Sequence, residues 1–123
     1  MHSIRQIAED FSNGKFESVY DNLSENVEWH VFGERILTGK KSVIENCEQT
    51  ASYFKSVTTD FKTYNIIEGA LRIAINGRAE FIRNGKTLSV VYACDVYEFN
   101  NEGNLLKICS YCIPEKEFQS GKK

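Results

Sequence analysis

Val90-Val91-Tyr92-Ala93-Cys94-Asp95-Val96-Tyr97-Glu98-Phe99 is a run of β-branched and aromatic residues with an aspartate lodged in it, followed by the turn residues Asn100-Asn101-Glu102-Gly103. Such a run reads as a covered strand ending in a hairpin. Working outward, residues 58–68, 70–83, 86–99 and 104–113 share this character, with a two-residue Asn84-Gly85 turn between the second and third and Pro114 after the last. Everything before residue 57 is mostly helical in pattern. Ser3 and Gln6 have capping-box spacing ahead of Ile4, Ile7, Ala8 and Phe11, and Asn13-Gly14 supplies a stop. A short helical segment follows over 15–22, with Phe16, Val19, Tyr20 and Leu23 on one side. Val27 to Phe32 alternates like a strand, Gly33 and Gly39 bracket a loop, and Ser42 with Glu45 forms a second capping box opening the longest helix, which ends near Ser56. Helices first and a long antiparallel meander afterwards predict an α+β domain whose helices cover one face of a curved sheet.

At 123 residues and a net charge of −2, the chain is expected to form one domain, 1–123, with 115–123 as a flexible tail. No basic stripe is present, so neither nucleic acid nor an anionic membrane is an expected partner. Met1 to Gln6 has no basic segment leading an apolar run, no stretch reaches membrane-spanning length, and cytoplasmic placement is the expectation. Cys47, Cys94, Cys109 and Cys112 are read as reduced thiols. Cys109 and Cys112, three apart on a strand, face opposite ways and make a poor metal hook. His2 is expected in a frayed terminus.

Counting back from the Asn84-Gly85 turn without a bulge sets Ala74 opposite Asp95, and pairing Phe99 with Asn104 sets Ile108 opposite it. One face then carries Val91, Ala93, Asp95, Tyr97, Phe99, Ile108, Ser110 and Cys112. The other carries Ile73, Ile75, Ala79, Phe81, Leu88, Val90, Tyr92, Cys94, Val96, Cys109 and Tyr111. Helices can cover only one side, so a second copy of the chain is expected to cover the other, convex face. A carboxylate in such a sheet either ion-pairs, here with Arg72 diagonally across, or stays protonated because burial disfavours its charge.

Asp95-Val96-Tyr97-Glu98-Phe99-Asn100-Asn101-Glu102-Gly103-Asn104-Leu105, followed by Ser110-Tyr111, resembles the C-terminal hairpin of the nuclear transport factor 2-like superfamily. Val27-Glu28-Trp29-His30-Val31-Phe32-Gly33, with Leu37-Thr38-Gly39-Lys40 leading into a helix, resembles its first strand and loop. The nearest likeness is to the SnoaL-like polyketide cyclase and ketosteroid isomerase branch. The resemblance implies a cone-shaped, cystatin-like α+β fold, a curved antiparallel sheet with N-terminal helices on its concave face, commonly dimeric, around an apolar cavity. It further implies a small, apolar, oxygen-bearing ligand, no metal and no organic cofactor, and chemistry of the proton-transfer type beside a carbonyl, as in isomerisation, cyclisation or dehydration. Non-catalytic binding modules and protein-association modules share the scaffold.

Carried over residue by residue, Asp95 matches the family's protonated carboxylic acid, which donates to a developing oxyanion. His30 falls, by counting back from Gly39, where the family has its general base; strand alternation instead groups Val27, Trp29 and Val31 on the apolar side and turns His30 outward. The second oxyanion donor, normally a tyrosine, falls at Ile7 or Ala8, and losing one such donor typically costs about 10²–10³ in rate. The candidate catalytic residues are therefore Asp95 and His30, and the candidate ligand contacts are Trp29, Tyr20, Tyr97, Ile108, Ser110 and Cys112. Tyr20, Tyr97 and Tyr53 are possible sources of a replacement phenol, and each is equally readable as core.

Overall fold

The computed structural model describes residues 3–116. His2, and the part of the expected tail beyond Lys116, lie outside the described residues. The helix α1 (Ile4–Ser12) begins at Ser3, whose hydroxyl accepts from Gln6 N, and stops at Asn13-Gly14, where Gly14 adopts φ +78°. A 3-10 helix (Phe16–Asn22) follows, tied back by Ser18 Oγ donating to Asp10 at 2.9 Å. The strand β1 (Leu23–Val31), a short β2 (Arg35–Thr38), the helix α2 (Lys40–Ser56) and β3 (Thr58–Glu68), β4 (Arg72–Arg83), β5 (Lys86–Phe99) and β6 (Leu105–Pro114) complete the order. Gly39, rather than Ser42, caps α2. Its N–H donates to Val27 O and its carbonyl accepts from Val43 N, so the helix starts directly where the chain leaves the sheet.

The six strands form one curved sheet in the order β2-β1-β6-β5-β4-β3. It is mixed rather than wholly antiparallel, because β1 runs parallel to β6, with Trp29 beside Ile108 and Val31 beside Ser110. The segment expected to be a loop between Gly33 and Gly39 instead folds back on β1 as β2. The α+β class and the helices on the concave face are as the sequence indicates; α1 and α2 place Ile7, Ala8, Phe11, Val43 and Cys47 against Trp29, Ile73, Tyr97 and Ile108 in one core.

Both hairpin registers differ from the unbulged count. Asp95 lies opposite Ile75, not Ala74, because the pairing slips between Phe81 and Ile82, leaving Leu88 unpaired. It lies opposite Ser110, not Ile108, because Phe99 pairs with Leu105 rather than Asn104 and a second irregularity leaves Leu106 unpaired, a shift of two that keeps Ser110 on the same face. A bulge adds one residue to one strand and so exchanges the faces of everything beyond it on the partner. Ile73, Ile75, Ala79 and Phe81 therefore join the concave face, and Ile73 and Ile75 are buried there. The convex face keeps Tyr92, Cys94, Val96, Cys109 and Tyr111 beside Glu98 and Lys107, but receives Arg72, Arg78 and Glu80 from β4 in place of its apolar residues, and is less apolar than expected. Glu115, placed in the expected tail, is anchored: its N–H donates to Val90 O and its carboxylate accepts from Tyr92.

Candidate functional site

The corrected registers arrange the concave face in rows across β4, β5 and β6. Ile73-Tyr97-Ile108 fills the closed end with large side chains, Ile75-Asp95-Ser110 comes next, and Gly77-Ala93-Cys112 leaves space with small ones. Above this step in side-chain size lies a cavity of about 330 Å³, covered by Phe11, Phe16 and Phe54, walled on the sheet side by Phe61 and Phe81, and floored by Asp95, Ala93 and Ser110. The volume sits at the small end of the range for small-molecule sites, about 300–1,000 Å³. A narrower cleft of about 70 Å³ reaches Asp95 from the β3 side, past Phe61 and Gly77.

Asp95 is half-buried as a residue because the cavity opens onto it, but its carboxyl group is enclosed by protein. Burial raises its pKa above the ordinary carboxylate value; hydrogen bonds from Ser110, Ser12 and Tyr97 oppose that rise without cancelling it. Trp29 Nε1, a donor only, donates to Ser110 Oγ at 2.9 Å, which leaves the serine proton for the Asp95 carboxyl. On the other side, Ser12 Oγ lies 2.5 Å from the Tyr97 hydroxyl and 3.4 Å from Asp95 Oδ2. Two short polar relays thus converge on one carboxyl in an apolar setting.

Arg72 is not its partner. It is exposed on the convex side, with its guanidinium 3.6 Å from Glu98, as the shifted register requires.

Asp95, Trp29, Ser110 and Cys112 line the same cavity. The Cys112 thiol faces inward and is pushed up to about 11 by burial and then by the negative charges of Asp95 and Glu34, so it is protonated near neutral pH. Tyr97 is fully buried behind Asp95 and acts on it through contact rather than by lining the cavity; burial and Asp95 hold its phenol well above the ordinary value. Ile108 is core in the row beyond.

Two candidates fall elsewhere. Tyr20 lies over an outer groove, donating to Glu48 at 2.6 Å, and burial, then that bond, raises its pKa. His30 stands on the opposite face of β1 from Trp29, with Nε2 2.8 Å from Glu28 Oε1, a contact that lowers the Glu28 pKa. Strand alternation decides this, since residues 27, 29 and 31 turn inward and 28 and 30 outward. The pairing of Asp95 with His30 as acid and base is thereby overturned.

Ser12, Asn46 and Thr50 also reach the cavity and were absent from the candidates. A signal existed for Asn46 and Thr50. Val43, Asn46, Cys47 and Thr50 form an i, i+3, i+4, i+7 stripe, so two polar residues stand where a core face predicts apolar ones. Ile7 and Ala8, at the second oxyanion-donor position, are completely buried core. Among the described residues no cluster of three potential metal ligands occurs, and no helix is long and apolar enough to cross a membrane.

No family model and no curated protein matches the sequence. Solved structures do. A SnoaL-like polyketide cyclase assignment attaches to a Shewanella putrefaciens protein that is 12% identical with a TM-score of 0.68, covering 91% of this chain and 90% of that one. The epoxide hydrolase/cyclase-like enzyme SalBIII, of pyran ring formation in salinomycin, gives 14% and 0.69 over 89% and 90%. Both show the fold alone. An NTF2-like protein of unknown function from Cytophaga hutchinsonii is 32% identical, with a TM-score of 0.78, over 87% of this chain and 93% of that one. At that identity and coverage, the chain belongs to the nuclear transport factor 2-like family.

Proposed function

We propose that this chain binds a small, mostly apolar, oxygen-bearing molecule in the concave cavity, with Asp95 as the polar anchor, in the manner of a SnoaL-like domain. The observation that carries it is the enclosed Asp95 carboxyl, held toward its protonated form by burial, at the floor of an aromatic-roofed cavity. A protonated carboxyl donates to a ligand carbonyl or hydroxyl, and the donation strengthens as charge develops on that oxygen. Trp29, Ser110 and Cys112 complete the floor and wall. A ketone bound there with acidic C–H groups beside its carbonyl is set for enolisation: water entering the cavity accepts the α-proton, Asp95 donates to the developing enolate oxygen, and return of a solvent proton to carbon restores the ketone and the acid. No metal or organic cofactor enters this reaction. The protein works as a cytoplasmic homodimer, packed through the convex face.

The test is solvent deuterium incorporation next to the carbonyl of a bound apolar ketone, benzylacetone, followed by proton NMR. Wild type is expected to accelerate exchange, Asp95→Asn to slow it at least about tenfold, and His30→Ala to leave it unchanged. Equal rates in wild type and Asp95→Asn overturn the catalytic part.

A carrier or sensor without turnover is the second reading, favoured by two observations: His30 lies outside the cavity, and buried Ile7 and Ala8 stand where the family's second donor would. It is distinguished by Trp29 fluorescence, Trp29 being the chain's single tryptophan and part of the cavity wall. Binding that weakens in Asp95→Asn without any exchange in wild type supports it.

A further inference from the structure

The α2 wall of the cavity holds a polar group that the sheet side does not use. Asn46 is 7% exposed, faces the cavity, and its carboxamide has no hydrogen-bond partner among the described residues. An amide at a core-facing position that reaches only the open volume costs about 1–3 kcal/mol once a ligand seals it without a partner. No fully sealed side-chain nitrogen or oxygen lacks a partner among the described residues, so the Asn46 amide atoms must touch the open volume. An apolar residue would fit the surrounding stripe of Val43, Cys47 and Ala51. Thr50, one turn further along α2, lines the same cavity and continues the polar strip.

Asp95 on the floor and Asn46 on the facing wall therefore bracket an otherwise aromatic cavity with two polar contacts of different chemistry. The carboxyl donates to one oxygen. The carboxamide, carrying both donors and an acceptor, suits a hydroxyl, which can do either. We infer that the cavity selects a dioxygenated apolar molecule of the hydroxyketone class, its carbonyl on Asp95 and its hydroxyl on Asn46, which makes Asn46 a specificity-determining residue. This rests on the ligand-binding reading of the same cavity and goes beyond it by fixing a second polar function on the ligand. The physical basis of the selectivity is that a ketone lacking the hydroxyl displaces water from Asn46 and leaves the amide buried and unpaired, which discriminates more strongly than missing apolar contact does.

The probes are benzylacetone, a plain ketone, and its ortho-, meta- and para-hydroxyphenyl analogues, which place the hydroxyl at three separations from the carbonyl. Dissociation constants come from Trp29 quenching and are checked by calorimetry. Wild type is expected to bind the best hydroxyketone about tenfold more tightly than benzylacetone, the worth of one well-made hydrogen bond in a dry site. In Asn46→Leu that preference is expected to vanish, with benzylacetone bound as well as before or better. Asn46→Ala, which introduces no added bulk, is expected to lose the same preference and guards against misfolding of the leucine variant.

Wild-type binding of benzylacetone with no gain for any of the three analogues overturns this inference and leaves the cavity reading intact. A preference that persists in both variants overturns it equally. Failure of wild type to bind any of the four probes counts against the cavity reading itself, and this inference falls with it.

Discussion

Asp95 owes its behaviour to a contest between desolvation, which favours the neutral acid, and hydroxyl donors, which favour the carboxylate; desolvation is the larger. The sign for stability follows. A carboxyl whose folded pKa lies above its unfolded value contributes fully below the unfolded value, about 3.9, and that contribution is lost as pH rises through the folded pKa. Asparagine does not titrate. The stability of Asp95→Asn relative to wild type is therefore expected to increase as pH is raised from about 4 and then to level off. Urea melts at a series of pH values measure it, and a difference that stays constant with pH would show that the carboxyl is not perturbed by burial. Asp95 and Trp29 were legible as candidates in the sequence because each is an oddity in a local pattern. Whether Arg72 or a pair of serines would meet the carboxyl was not, since that depends on which residue faces it across two separate hairpins.

The elements were readable where short-range chemistry sets them. The Asn84-Gly85 turn has both residues at positive φ, 54° and 75°, as a two-residue hairpin loop of this kind requires, and β5 spans the residues expected of it. The α1 cap is the serine the pattern indicated. What escaped were the bulges at Leu88 and Leu106 and the short strand β2, because an extra residue costs little locally and is fixed by how the whole sheet must curve over its helices. Gly77 marks such a place. It pairs with Thr63 beside a third irregularity, and a Cβ there would lie 2.3 Å from Lys62 O. Its φ is ordinary, so close approach of backbone explains the glycine. Gly77→Ala is expected to cost about 1–3 kcal/mol through displacement of β3, with an unchanged m-value in urea unfolding. A variant as stable as wild type would mean β3 moves aside freely.

At the scale of the molecule, the open question is what meets the convex face. Phe32 and Tyr111 stack there at 4.8 Å while each stays nearly half exposed, and His30 lies against Phe32 at 5.8 Å. The charged residues of this face, Arg72, Arg78 and Glu80 brought there by the bulge beside β4 and Glu98 and Lys107 next to them, suit an interface with a polar rim around an aromatic centre. A dimer is expected in light scattering at micromolar concentration, and Phe32→Ser with Tyr111→Ser is expected to shift it toward monomer with the far-ultraviolet circular dichroism preserved. A wild-type monomer overturns that arrangement. His30, which counting back from Gly39 put at the cavity and strand alternation turned outward, belongs to this surface.

By itself the sequence determined the α+β class, the order of the helices and of the four long strands, and the inward turn of Trp29, Asp95, Ser110 and Cys112. Each follows from periodicity or turn chemistry acting over a few residues. The tertiary structure alone decided the parallel pairing of β1 with β6, the exchange of Ile73 and Ile75 onto the concave face, and the meeting of Asn46 with Asp95 across one cavity. These depend on contacts between residues far apart in the chain. A one-residue bulge, nearly silent in the local pattern, is enough to reverse which face a side chain occupies.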